Sequence, residues 1–466
     1  MTETLEADFV VVGAGFAGLT AAWRLTHHAT PPASVIVLEA RERVGGRVWT
    51  EMLDDGAAWA DMGGTWFGPG QDYSYDLAKE MKVATYPTYK KGNSLLIIEG
   101  QKPVRSIEDF PCAGLFAAGV GLALLAELES MAEQVPLDAP WTAKHAREWD
   151  RQTFAAWVAS QTSLDSSMTP AATALATIFS GLFCSDPSEI SLLDALYLVH
   201  SHGGFVRLMA VEGGNQQDRI VGGAQHIANA MKEKLGDAVR LNEPVRKIAQ
   251  DATGVTVTAT NVTVRAKRVI VTIPPALAGY VEYEPELPAE RAQLQQRAPY
   301  GAVLKVLVKY DTPFWRKNGL SGQSFALTHP VGATYDGCTD KDDTPGLLIA
   351  FAFGSHARAF DRMGKEERQQ RIVDELAHRF GDEARAVRWY HEVEWAQQRW
   401  TRGGIFAHFP SGVLTTFGAT LKEPCGFIHW AGTETSSAFH GSINGAIESG
   451  MRAAEEVIAA TRGASH

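Results

Sequence analysis

Three glycines and one acid in the first forty residues have the types and spacing to hold a dinucleotide. Gly13-Ala14-Gly15-Phe16-Ala17-Gly18 is a GxGxxG run, and Glu39 follows 21 residues after Gly18. In such a run the first glycine makes the tight turn. The second lets backbone approach a pyrophosphate, and the third lets a helix pack on a sheet. An acid at Glu39 can accept both ribose hydroxyls and repels a 2′-phosphate. Just beyond it, Ala40-Arg41-Glu42-Arg43-Val44-Gly45-Gly46-Arg47 sets three arginines around a glycine pair. The glycines let backbone crowd a diphosphate that an arginine can neutralise. Arg43 reads equally well as part of a solvated charge run.

A second chemical signal is Lys305, alone in the apolar run Ala302-Val303-Leu304-Lys305-Val306-Leu307-Val308. A lysine buried among aliphatic side chains is costly unless it is paired or put to use. The alternative is an edge-strand lysine, the reading that suits Lys309. No paired carboxylates, no Ser–His–Asp set and no metal-spaced His/Cys group accompany it.

The elements that must position these residues follow from hydrophobic pattern. Asp8–Val12 and Ser34–Leu38 read as strands on either side of a helix over Gly18–Thr26, a unit that implies a parallel sheet with a right-handed crossover. The stretch from Pro87 to Ala210 is mainly helical in pattern, with segments such as Leu122–Gln134 and Leu192–His200. Strands are expected at Val239–Ile248, Gly254–Thr260, Arg268–Ile273, Ala302–Tyr310 and His429–Gly432. Helices are expected at Glu366–Phe380 and Gly445–Thr461. The apolar run Pro111–Ala126 is too short and glycine-rich to span a membrane and reads as a buried helix.

These motifs together resemble the flavin monoamine oxidase family, which includes polyamine oxidases and L-amino acid oxidases. Asp61-Met62-Gly63-Gly64-Thr65-Trp66 looks like its second flavin-contacting turn, and Val245 matches the residue whose backbone meets the adenine. Trp430-Ala431-Gly432-Thr433-Glu434-Thr435, then Gly441-Ser442-Ile443-Asn444-Gly445-Ala446, looks like its C-terminal flavin motif. On its own terms, that last turn leads into a helix whose N-terminus can stabilise negative charge on a reduced flavin. The resemblance covers nearly the whole chain. It implies FAD, an amine substrate and oxygen as partners, and a lysine, here Lys305, that holds a water for flavin reoxidation. It places Trp395 beside the flavin, and Gln216, Leu182, Met209, Ile405, Phe406 and Ser442 around the substrate.

The implied fold is α/β: a Rossmann-like FAD-binding domain of glutathione reductase type, assembled from residues 1–86, 219–294 and 399–466. An α+β substrate domain, residues 87–218 and 295–398, is inserted between these segments. Two departures from the family stand out. Gly403-Gly404-Ile405-Phe406 has isoleucine where covalent-flavin members have cysteine, so FAD is expected without a covalent link. Ser442 stands where many members have the second ring of an aromatic pair, leaving Phe439 or His440 to compensate.

A net charge of −11 excludes nucleic acid as the main partner. Four scattered cysteines suggest no disulfide framework, and an acidic N-terminus suggests no leader; both point to the cytoplasm. A homodimer is left open. An L-amino acid oxidase would carry an arginine after Gly63-Gly64, which this chain lacks. A polyamine oxidase would need acids in the pocket, for which Glu212 and Asp218 are candidates. A desaturase or isomerase of the same fold, or a non-catalytic FAD-binding module, completes the alternatives.

Overall fold

The strand Glu3–Val12 carries Phe9, Val10, Val11 and Val12 buried in succession, and such a strand must be covered on both faces. The computed structural model, which describes residues 3–53, 58–108, 110–117, 119–339 and 345–463, places it inside an eight-stranded sheet. Strand order is Val239–Arg240, Val35–Leu38, Glu3–Val12, Val262–Val271, Gly254–Thr258, Lys247–Asp251, Glu282–Glu284, with Ile428–Trp430 also paired to Val262–Val271. Its dinucleotide-type core is parallel, with Val10 opposite Ile36 on one side and Val269 on the other. The helices Phe16–His27 and Ile443–Gly463 pack together over one face through Leu19, Ala22, Ile447 and Val457. Their approach is close: a Cβ on Gly450 would stand 2.3 Å from the Ala17 carbonyl oxygen.

A seven-stranded sheet forms the second half, in the order Trp389–Glu394, Val303–Tyr310, Gly346–Phe353, Ala333–Asp336, Leu320–Ala326, Asn93–Ile97, Val104–Ser106. Behind it lies a helical layer whose core stacks Phe154, Phe179 and Phe183. Every strand of the first sheet falls within 1–86, 219–294 or 399–466, and every strand of the second within 87–218 or 295–398.

Several local expectations change. Val239–Ile248 is two strands, not one. Asn242 adopts a left-handed φ of 60° and Pro244 follows, so the chain leaves the sheet and returns at Lys247. The middle segment is mainly helical, as expected, and it also carries Asn93–Ile97 and Val104–Ser106, which complete the second sheet. The apolar run around Leu122 is not a buried helix. Ala118 lies outside the described residues, and the helix Gly119–Ala132 buries one stripe, Gly121, Leu124, Leu128 and Ala132, while Leu122 is half exposed. Among the described residues no helix is long and apolar enough to cross a membrane. Lys309 is not on an edge strand, since Val303–Tyr310 has a partner on each side.

Candidate active site

A cavity of about 470 Å³ runs between the two halves. At one end the GxGxxG turn does what its spacing requires. Gly13 has φ of 103°, and a Cβ on Gly18 would meet the Gly13 carbonyl oxygen at 2.0 Å. Gly15 and Phe16, at the N-terminus of their helix, line the cavity. Gly45 and Gly46 close over the same turn, and a Cβ on Gly46 would stand 3.3 Å from the Gly15 Cα. The buried Glu39 carboxylate accepts from the Ala14 N–H at 2.7 Å and the Arg41 N–H at 2.9 Å. Both oxygens are thus fixed, with lone pairs left for the hydroxyls of a ribose. Val245, on the loop created by Asn242 and Pro244, forms the wall beyond. Glycine cradle, helix terminus and anchored acid suit a dinucleotide, and the residues present fit FAD.

Arg43 is not part of a solvated run. Its guanidinium donates to the carbonyls of Val44, Gly46 and Val48 and so locks the glycine turn. Arg47 lines the cavity and donates to both carboxylate oxygens of Glu434, at 2.6 and 3.1 Å, and to the Ile405 carbonyl at 3.0 Å. Glu434 also accepts from the Tyr300 hydroxyl at 2.6 Å and the Ala407 N–H at 3.1 Å. Burial alone would raise this carboxyl, but Arg47 and the hydrogen bonds outweigh it and hold it at about 2. Glu434 itself does not line the cavity, contrary to the expectation of a cofactor contact. It anchors Arg47.

Lys305 sits on an inner strand opposite Phe351 and Val393 and is 1% exposed. Its Nζ donates to the Gly63 carbonyl at 2.8 Å and to Thr65 Oγ1 at 2.9 Å, and it lies 5.7 Å from the Trp66 ring and 5.2 Å from the Phe351 ring. Burial pulls its pKa down to about 7; the nearby Asp61 opposes this and Arg219 adds to it. The amine thus changes charge near neutrality, at the cavity wall, with room for a further hydrogen bond. Trp395 lines the cavity and donates its indole N–H to the Met62 carbonyl at 3.0 Å.

Gly63, Gly64, Thr65, Trp66, Gly432, Thr433, Ser442 and Ile443 also reach the cavity, as do Ala40, Arg41, Gln216, Leu182, Ile405 and Phe406. Ser442 Oγ caps the last helix by accepting from the Gly445 N–H at 3.1 Å. Four expected residues do not line it. Ala14 and Gly18 serve the turn from behind, Glu434 holds Arg47, and Met209 packs in the helical core. Phe439 is also off the cavity, whereas His440 is on it. Glu212 pairs with Lys90, and Asp218 accepts from Tyr75 at 2.5 Å; neither lines the cavity. None of the four cysteines does either, and among the described residues no group of three or more metal-binding side chains occurs.

Sequence reasoning missed the segment Arg399–Arg402, Tyr280, and the polar group Gln71, His202 and Asn215, all of which line the cavity. No period or motif singles these out. Only the loop residues around Gly403-Gly404 lay beside a recognised pattern.

Comparison with known proteins agrees with this geometry. The family model of flavin containing amine oxidoreductases matches residues 16–458. AofH of Mycobacterium tuberculosis, which bears the name of a flavin-containing monoamine oxidase, is 40% identical over 97% of this chain and 96% of its own. The horse (Equus caballus) flavin-containing amine oxidase A is 34% identical over 97% of this chain and 85% of its own. The solved structure of a putrescine oxidase bound to putrescine superposes with a TM-score of 0.91 at 34% identity, covering 98% of this chain and 100% of that one. The chain belongs to the flavin-containing amine oxidase family and is an FAD-dependent amine oxidase.

Proposed function

We propose that the enzyme oxidatively deaminates a primary or secondary amine, with FAD held non-covalently in the dinucleotide end of the cavity. Bound FAD supplies the hydride acceptor and the route by which oxygen becomes hydrogen peroxide. The chain's own residues do the rest. Glu39 takes the ribose, and the Gly13–Gly18 and Gly45–Gly46 turns admit the diphosphate with Arg47 beside it. The helix beginning at Ile443 turns its N-terminus toward the cavity, where it favours negative charge. Phe406, Trp66, Phe351 and Leu182 exclude water from the reacting carbon. The amine must be neutral to give up hydride, and the resulting iminium takes up water to yield aldehyde or ketone and ammonia or an amine. Lys305 holds a water at the same wall and exchanges a proton near neutrality.

The buried, cavity-facing Lys305 Nζ carries this reading: it donates to the Gly63 carbonyl and Thr65 Oγ1, and among the described residues no carboxylate forms an ion pair with it. Non-covalent FAD is supported by Ile405 at the cavity wall and by the absence of any cysteine among the lining residues. A cytoplasmic location is supported by the four unpaired cysteines. A homodimer is compatible with this reading and not required by it. The test is a peroxide-coupled screen across amines, amino acids and polyamines. Peroxide formation with simple amines is expected. A flavin-loaded enzyme that reduces with amines but yields no peroxide would overturn the oxygen step. Acid precipitation should release the yellow cofactor, and colour retained in the pellet would overturn non-covalent binding.

A further inference from the structure

Away from its dinucleotide end the cavity carries a polar wall, and it is wired in one direction. His202 Nε2 donates to the His440 carbonyl at 2.8 Å, which leaves Nδ1 as acceptor for the Asn215 Nδ2–H at 2.7 Å. Asn215 Oδ1 in turn accepts from Gln71 Nε2 at 3.3 Å. The chain of bonds fixes both amide orientations and ends on Gln71 Oε1, which has no partner among the described residues. Gln216, next to Asn215, presents an equally unpartnered Oε1. Both ring nitrogens of His440 likewise have no partner among the described residues, although the residue is 1% exposed. Its ring stands 5.1 Å from that of Phe406, nearly perpendicular to it, one residue before Gly441 and two before Ser442.

Buried polar atoms left without partners cost stability, and a site that keeps several of them is completed by a ligand. Two are carbonyl-type acceptors, and a neutral imidazole adds one acceptor and one donor. Burial holds His440 and His202 at about 4, so both stay neutral at working pH. The nature of the ligand group follows from charge. Among the described residues Glu39 is the one carboxylate that lines the cavity, and it is committed to the ribose end. A second ammonium at the polar wall would be buried without a counter-charge, which is costly. An uncharged donor such as a hydroxyl satisfies the same acceptors without that cost.

We propose that His440, with Gln71 and Gln216, is a specificity subsite for an uncharged hydrogen-bond donor on the substrate, so that the preferred substrates are hydroxylated amines rather than diamines or plain alkylamines. This rests on the oxidase reading of the same cavity. The unfilled aromatic position at Ser442 is then no defect. The neighbouring imidazole replaces ring stacking with a directional contact.

The experiment compares 5-amino-1-pentanol, pentylamine and 1,5-diaminopentane on the holoenzyme at one pH. The amino alcohol should exceed pentylamine in kcat/KM by roughly tenfold or more, mainly through KM, because a site built for a hydrogen bond rejects the analogue lacking it. The diamine should rank below the amino alcohol. In His440→Phe the ratio of amino alcohol to pentylamine should fall about tenfold, and His440→Gln should restore part of it. FAD content and the visible flavin spectrum should match the parent in both variants. Pentylamine oxidised as well as the amino alcohol, or a ratio indifferent to His440→Phe, overturns the subsite while leaving the oxidase intact. Loss of flavin in His440→Phe, with the fold retained by circular dichroism, assigns the imidazole to the cofactor and overturns it as well. No oxidation of any of the three amines overturns the subsite, while the wider screen across amines, amino acids and polyamines decides the oxidase reading separately.

Discussion

The two ends of the cavity are built on opposite principles. At the dinucleotide end nearly every charged group is already bound to protein: Glu39 to two amide N–H groups, Arg43 to three carbonyls and Arg47 to Glu434. At the other end Gln71, Gln216, His440 and the Trp66 indole keep polar atoms that have no partner among the described residues. The first end is finished before its ligand arrives and tolerates little change. The second holds open hydrogen-bonding capacity, and there specificity can be altered without disturbing the fold.

If the first end is rigid, its glycines should fail outright. Gly18→Val has no room, with the Gly13 carbonyl oxygen 2.0 Å from the new Cβ; purified protein should carry no flavin absorbance. Bound flavin at parental stoichiometry would show that this turn yields after all.

Next in size is Glu434→Gln. It strands Arg47 in a buried site, a change expected to cost about 3–5 kcal/mol, seen as a drop in melting temperature. The Glu434 carboxyl is held at about 2 against a usual 4.5. A depressed carboxyl contributes stability fully above pH 4.5 and loses it as pH falls toward 2. The gap between parent and variant should therefore narrow across that acidic window, and a constant gap would deny Glu434 its charge.

Lys305→Met tests the junction of the two ends. FAD should stay bound, while reoxidation by oxygen should slow by at least about tenfold, some 1.4 kcal/mol in barrier. Unchanged oxygen kinetics would remove Lys305 from the chemistry. With the folded pKa near 7 and the unfolded value at 10.5, the unfolded chain binds the extra proton between those pH values. The parent should therefore gain stability over the variant as pH rises from 7 to 10.5.

The smallest effect separates lining from core. Leu182→Ala should alter KM for bulky amines several-fold, as one side chain in an apolar pocket is worth about 1–3 kcal/mol. Met209→Ala should destabilise the fold by about 2 kcal/mol and leave KM as it was. The reverse pattern would place Met209 in the pocket.

These contrasts also explain what could be read from sequence. Glycine spacing is a backbone requirement, so Gly13, Gly15, Gly18 and Gly46 were legible one after another. Lys305 was legible because a charge is conspicuous among aliphatic residues. The Arg47–Glu434 pair was not, since the partners lie 387 residues apart and each alone fits a flavin contact. Met209 was misplaced because an apolar residue reads the same in a pocket as in a core. His202, Asn215 and Gln71 have ordinary sequence surroundings and become a set only when the topology brings their side chains together. Val245 was placed by resemblance, while the break in its strand came from Asn242 and Pro244, which the hydrophobic pattern overran.

Arg47 grips a carboxylate close to the far end of the chain, and the strand Ile428–Trp430 completes a sheet begun at Glu3. During synthesis Arg47 must therefore wait, unlatched, for 387 residues before its closing partner emerges. Cofactor capture is thereby a late event: a ribosome stalled before Trp430 would display a nascent polypeptide unable to turn yellow.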